Sequence, residues 1–327
     1  MFAYFARRLV YMVVTSVFIS VAGFVIINLP PGSYLDYYIA RLEEQGTSTA
    51  EDQIETLKRQ YGLDQPGYVQ YFVWISGFVR GDFGRSFQYN RDVSELIWER
   101  LGFTAAISFT SLLLTWVIAI PIGIYSATHQ YSLGDHAFTI LGLAGLSIPN
   151  FMLALVLMVV AAQTFGQEVG GLFSHAYLDA PWSWLKFVDL LKHLWIPLLV
   201  IATGGTACLI RMMRGNLLDI LNMQYVQAAR ARGLHERMVI LKHAVRNAVH
   251  PLVMLLGMSL PGIISGATVI SIVLSLPTTG PLYFNALQQK DMYLAGTFLI
   301  FLSIMLVIGN FFADMLLAWI DPRIRFE

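Results

Sequence analysis

Six stretches of the chain contain no Asp, Glu, Lys, Arg or His: residues 9–29, 101–128, 137–167, 194–210, 251–289 and 292–313. The first is twenty-one residues long, and at ~1.5 Å rise per residue a helix of that length covers ~31 Å, the thickness of a bilayer's hydrocarbon core. The run from 251 to 289 is too long for one crossing. Its Pro277-Thr278-Thr279-Gly280-Pro281 cluster is a breaker, so the pattern predicts a helix from about Leu252 to Leu276 and then an irregular segment. The run from 137 to 167 is expected to be a single span. The outcome is an all-α integral membrane protein with six transmembrane helices, and an even number of spans puts both termini on one side.

Arg7 and Arg8 precede the first apolar run, which is also the order found in a secretory signal peptide. The run is longer than a usual signal core, no A-x-A-like site follows it, and five further spans accompany it, so it is assigned as an uncleaved helix. Charge in the polar segments gives the orientation independently. Residues 30–100 carry seven basic and eleven acidic side chains, whereas residues 211–250 carry seven basic and two acidic ones. The positive-inside rule therefore places the N-terminus and the 211–250 loop in the cytoplasm, where six spans also put that loop. These boundaries divide the chain into an N-terminal transmembrane helix (1–29), an extracytoplasmic region (30–100), a transmembrane core (101–320) and a cytoplasmic tail (321–327). The extracytoplasmic region is far longer than a typical connection. A polar helix is expected within it near 49–60, capped at Ser48-Thr49, and a docking surface is its expected use.

Composition agrees with this class. The chain is 56% hydrophobic and 13% charged, against roughly a quarter charged in soluble domains. Its net charge is zero, so nothing points to nucleic acid. The single cysteine, Cys208, has apolar neighbours; it allows no internal disulfide or cysteine zinc cage and is expected to be a packing residue. None of the five lysines follows a glycine, so the chain has no P-loop with which to hold nucleotide phosphates. Asp82-Phe83-Gly84, Leu276-Pro277-Thr278-Thr279-Gly280 and the spacing of His235, His243 and His250 match kinase, sorting and zinc patterns by letter only, without the companion residues those chemistries need.

The cytoplasmic loop is the informative segment. Its Ala- and Arg-rich sequence up to Arg232 favours a short helix, Gly233 supplies a left-handed stop, and Leu234 is the apolar residue that accompanies such a stop. A second helix is expected from His235–Arg237 to the residue before Pro251. The residues alone admit two uses for this helix, turn, helix: insertion into a groove on a soluble partner, or contact with anionic lipid.

Tyr225-Val226-x-x-Ala229-Arg230-Ala231-Arg232-Gly233-Leu234 and His243-Ala244-x-Arg246-Asn247-Ala248-x-x-Pro251 resemble the coupling loop of binding-protein-dependent ABC importer permeases, in particular the peptide/opine/nickel branch. Tyr61-Gly62-Leu63-Asp64-Gln65-Pro66, Arg80-Gly81-Asp82-Phe83-Gly84-Arg85-Ser86, Gly145-Leu146-Ser147-Ile148-Pro149 and Asp321-Pro322-Arg323-Ile324-Arg325 match the same branch in the same order. The resemblance implies a type I ABC importer permease fold with a cytoplasmic coupling helix between spans 4 and 5, in a multi-pass protein of the bacterial inner membrane. It implies a non-catalytic subunit that binds no cofactor, paired with a homologous permease, two ATPase subunits that bind the ATP, and an extracytoplasmic binding protein. The residues it assigns to ATPase coupling are Tyr225, Gln227, Ala228, Ala229, Arg230, Ala231, Arg232, Gly233 and Leu234. Gln227 departs from the family's usual Glu, and Ser271 and Leu276-Pro277-Thr278 depart from the acidic residue and aromatic-Pro-Gly turn of common relatives. Oligopeptides are the expected cargo and oligosaccharides the alternative, with Trp182, Trp184 and Trp195 as candidate stacking platforms. A secondary transporter or channel would need mid-membrane charges or an internal repeat. Gly262-x-x-x-Gly266 is expected to let helices approach closely, with a direct substrate contact as the alternative, and Pro149 and Pro261 either kink their helices or are merely tolerated there. Asp314 is the acid in the last apolar stretch.

Overall fold

The computed structural model describes residues 2–28, 65–86, 88–265 and 267–320. The helix expected at 49–60, most of the Tyr61–Pro66 string, Gly266, the Asp314 side chain and the 321–327 tail lie outside the described residues. What is described is helical apart from one two-stranded hairpin, and it divides into two compact units: residues 1–102 with 279–307, and residues 103–278 with 308–327.

The first unit contains α1 (Phe2–Asn28), α2 (Gly67–Val79), the hairpin β1 (Arg85–Ser86) and β2 (Arg91–Asp92), the start of α3 (Val93–Thr128), and α11 (Thr279–Gln288) with the first part of α12 (Met292–Ile320). Phe24 packs on Tyr71 and Trp74 with ring centroids 5.5 and 5.7 Å away, and Ser20 and Tyr71 share a 2.7 Å hydrogen bond. Gly84 lies at φ +76° directly against the ring of buried Tyr293. Beside it the buried Asp291 carboxylate accepts Ser86 Oγ at 2.5 Å and, from its other oxygen, caps α12 by accepting the amide of Leu294 at 3.3 Å. The Arg80–Ser86 string is therefore a turn fastened to the start of the last helix.

The second unit contains the remainder of α3, α4 (Leu133–Ser147), α5 (Asn150–Phe165), α6 (Trp184–Leu221), α7 (Gln224–Ala231), α8 (Glu236–Ala248), α9 (His250–Ser265) and α10 (Thr268–Val273). Among the described residues, three helices are long and apolar enough to cross a bilayer: α3, α6 and, over Met292–Phe312, α12. Two further pairs qualify if each is taken as one bent span, and Val10–Ile26 is a shorter apolar helix.

Three expectations need correction. The run from 137 to 167 is not one straight helix, because α4 and α5 meet at 99°. Pro149 cannot continue the ladder and holds Ile148 in an extended conformation, φ −89° and ψ 122°. The helix expected from Leu252 to Leu276 ends at Ser265 and resumes as α10 after Ala267, whose ψ of 81° is non-helical. The segment after Leu276 is not irregular throughout, because α11 starts at Thr279. Pro281 falls in its first turn, where backbone N–H groups have no intrahelical partner to lose.

Helices of the second unit approach closely through glycine. A Cβ at Gly123 of α3 would stand 2.6 Å from Cβ of Met213 on α6. Among the described residues a Cβ at Gly262 would meet nothing within 4 Å, and Cys208 is exposed in this chain. Ser132 caps α4 by accepting the Asp135 amide at 3.1 Å. The Asp135 carboxylate, buried, accepts Nε and Nη2 of Arg214 at 3.1 and 2.9 Å and the amide of Tyr131 at 3.1 Å. Asp135→Asn is expected to cost about 2–4 kcal/mol, because it leaves a guanidinium without its counter-charge. Thermal unfolding of the purified variant checks this.

Candidate functional site

The basic loop folds as read from its residues, with Met223 preceding α7 and Gly233 at φ +75° ending it. Eight residues are too few for an isolated helix to persist in water, so α7 must be held from outside. Val226 and Ala229, three positions apart on one face, are buried in a cluster with Met213 and Leu217 of α6, Val239, Ala244 and Ala248 of α8, and Leu252 of α9. The opposite face, with Tyr225, Gln227, Ala228, Ala231 and Arg232, is exposed, as is Gly233; Leu234 is partly buried against the cluster.

Both ends of α7 are fastened by polar contacts. Gln227 Nε2 donates to the Leu221 carbonyl at 3.1 Å, satisfying an acceptor that the end of α6 leaves open. A carboxylate here could not donate and would face the negative end of the α6 dipole. Gln227→Glu is therefore expected to lower stability by about 0.5–1 kcal/mol, read as a fall in the thermal midpoint. At the other end the Arg230 guanidinium embraces the Glu236 carboxylate, Nη2 to Oε1 at 2.7 Å and Nε to both oxygens at 3.2 Å, and holds that carboxyl below its usual range. Within this chain Arg230 clasps the turn across Gly233, a contact different from the partner surface for which it was singled out. Arg232 is exposed. A third contact, absent from the sequence reading, joins Asn247 Nδ2 to the Tyr225 hydroxyl at 2.7 Å.

α8 is wound as a π-helix over Val239–Ala244, and α9 leaves it at 44°. Pro251 sits in the first turn of α9, as its second residue. Among the described residues no group of three His, Cys, Asp or Glu side chains could hold a metal ion.

Away from this loop, a cavity of about 670 Å³ lies between the end of α5 and the start of α6, lined by Glu168, Asp189, Lys192, His193 and Trp195 among others. Asp189 accepts both the amide and the hydroxyl of Ser174, and Trp195 Nε1 donates to Gln167 at 3.1 Å. Trp182 and Trp184 are exposed.

Residues 119–326 match the family described as the binding-protein-dependent transport system inner membrane component, and residues 1–108 match the N-terminal membrane component of that system. The chain belongs to this family. It is 34% identical over 327 residues to the oligopeptide transport system permease protein AppB of Bacillus subtilis, covering 100% of both chains. It is 30% identical over 329 residues to the glutathione transport system permease protein GsiC of Escherichia coli, again covering 100% of both. With the nickel import system permease protein NikB of Staphylococcus aureus it shares 28% identity over 98% of this chain and 91% of the relative. The chain is thus the permease subunit of an ABC importer, a multi-pass all-α protein of the inner membrane that performs no catalysis itself. Permeases of this family work with a partner permease, ATPase subunits and a binding protein.

Proposed function

We propose that this permease crosses the membrane six times with both termini in the cytoplasm, forms half of a pathway for oligopeptides, and is driven by two ATPase subunits that grip α7. In this reading α7 is the coupling helix between spans 4 and 5, and its exposed residues from Tyr225 onward, with the turn through Gly233 and Leu234, make the contact. Three long helices, two bent pairs and the Val10–Ile26 helix support the count of six, and the charge contrast between 30–100 and 211–250 supports the orientation. The proposed division is the one drawn above at 29, 100 and 320. The observation that carries the coupling role is the two-faced α7: an apolar pair anchors it to α6, α8 and α9, while its other face and the Gly233 turn stay open on the basic side of the chain.

The relatives named for oligopeptides and glutathione support peptide cargo over the oligosaccharide alternative. Motion would pass from the ATPases through α7 to α6, which precedes it, and α9, which follows it, as the transporter alternates between outward- and inward-open forms. Reconstitution of the four membrane and ATPase subunits with the binding protein is expected to give peptide uptake that needs both ATP and the binding protein. Uptake by the lone chain would favour a secondary transporter instead.

A further inference from the structure

The covalent route from α7 to the span at α9 runs around the Gly233 turn and along all of α8. That route has two compliant places. One is the glycine at φ +75°; the other is the π-wound segment Val239–Ala244, where the wider turn weakens the ladder and permits a change of register. A push applied at α7 and carried only along this route would be partly absorbed before reaching α9.

The Asn247–Tyr225 hydrogen bond bypasses both places. Tyr225 lies in the first turn of α7 and Asn247 in the last turn of α8, beyond the π segment and just before the 44° bend into α9. At 2.7 Å the contact joins residues twenty-two apart in sequence. The Arg230–Glu236 clasp, by contrast, reaches only the start of α8. Buried Val226 and Ala229 pack α7 into the cluster it shares with α6, α8 and α9, and the hydrogen bond adds to this packing a contact that depends on distance and angle.

We propose that Asn247 is a positioning residue for coupling, a strut that transmits displacement of α7 to the span at α9 through the Tyr225 hydroxyl. The proposal rests on the reading that ATPase subunits grip α7, and it adds the path by which their motion enters the membrane. Tyr225→Phe removes the hydroxyl and leaves the ring in place. Asn247→Leu removes the donor at similar volume.

The test measures ATP hydrolysed per peptide imported by the complete reconstituted importer, alongside the amount of ATPase subunit that copurifies. Each variant is expected to raise that ratio about two- to tenfold, the range spanned by one net hydrogen bond, and Asn247→Leu, which lies off the gripped helix, is expected to leave copurification unchanged. The double variant is expected to be no worse than the stronger single one, because both remove the same contact. A ratio unchanged in Tyr225→Phe, or single effects that add, would overturn the strut. A loss of copurifying ATPase without a change in the ratio would also overturn it, since that is a purely structural effect. If Asn247→Leu does not fold, Asn247→Ala removes the same donor and decides. Should Gly233→Val abolish uptake while Tyr225→Phe leaves the ratio untouched, the strut fails and the coupling reading stands; should neither have any effect, the coupling reading itself fails.

Discussion

Gly233→Val is expected to abolish ATP-driven uptake while the variant chain still inserts in the membrane and accumulates normally. Gly233 sits at φ +75°, and a Cβ there would meet nothing within 4 Å. The cost is therefore conformational rather than steric: a β-branched residue resists positive φ, and holding one there costs about 1–3 kcal/mol. The turn relieves that strain by abandoning its geometry, including the 2.9 Å bond from the Gly233 amide to the Arg230 carbonyl. α7 then no longer meets α8 at the angle that buries Val226 and Ala229 together. Gly233→Asn is the matched control, since Asn tolerates the left-handed region, and it is expected to retain most uptake. Uptake and ATPase activity in proteoliposomes distinguish the two variants. Normal transport by the Val variant would mean that the turn is dispensable.

The largest loss of stability is expected from Gly84→Ala in the other unit. Gly84 also has positive φ, +76°, but here a Cβ would stand 2.3 Å from Cδ1 of Tyr293. Tyr293 is buried at the start of α12, so the ring cannot swing clear without pulling on Asp291 and its bond to Ser86. Overpacking and backbone strain act together, for about 2–5 kcal/mol. Thermal unfolding of the purified chain should show a clearly lower midpoint. Gly84→Asn should be no better, in contrast to Gly233→Asn, because at Gly84 the obstacle is space as well as φ. An unchanged midpoint in Gly84→Ala would show that Tyr293 yields without cost.

The two glycines mark where sequence reading succeeds and where it stops. Gly233 was legible because its turn is local: the Ala- and Arg-rich run before it and Leu234 after it spell out a helix stop. Gly84 lay in a recognised string, but its reason is Tyr293, and no periodicity links residues so far apart. The apolar runs fall on helices, three of which are long and apolar enough to cross a bilayer, since charge is scarce in such segments for one physical reason. Their ends were placed less well, because a helix does not stop where charge begins. α6 runs on past Arg211 and through Arg214 to Leu221, with Asp135 meeting the Arg214 guanidinium. At Pro149 the sequence implies a kink, and the structure has a 99° break. In the candidate site the helix, turn, helix was legible to within a few residues. The partners of Gln227, Arg230 and Tyr225 were not, because Leu221, Glu236 and Asn247 reach them across turns that only the folded chain closes.

ATPase subunits are expected to take hold at α7 and its turn. In a Cys208→Ser background, Arg232→Cys supplies a single thiol on the exposed face of that turn. In membranes containing the whole importer, a short bifunctional cross-linker is expected to join this thiol to an ATPase subunit, with a yield that changes on adding ATP. A thiol that forms no such product, and is instead modified by an impermeant maleimide applied from the extracytoplasmic side, would contradict both the orientation and the grip.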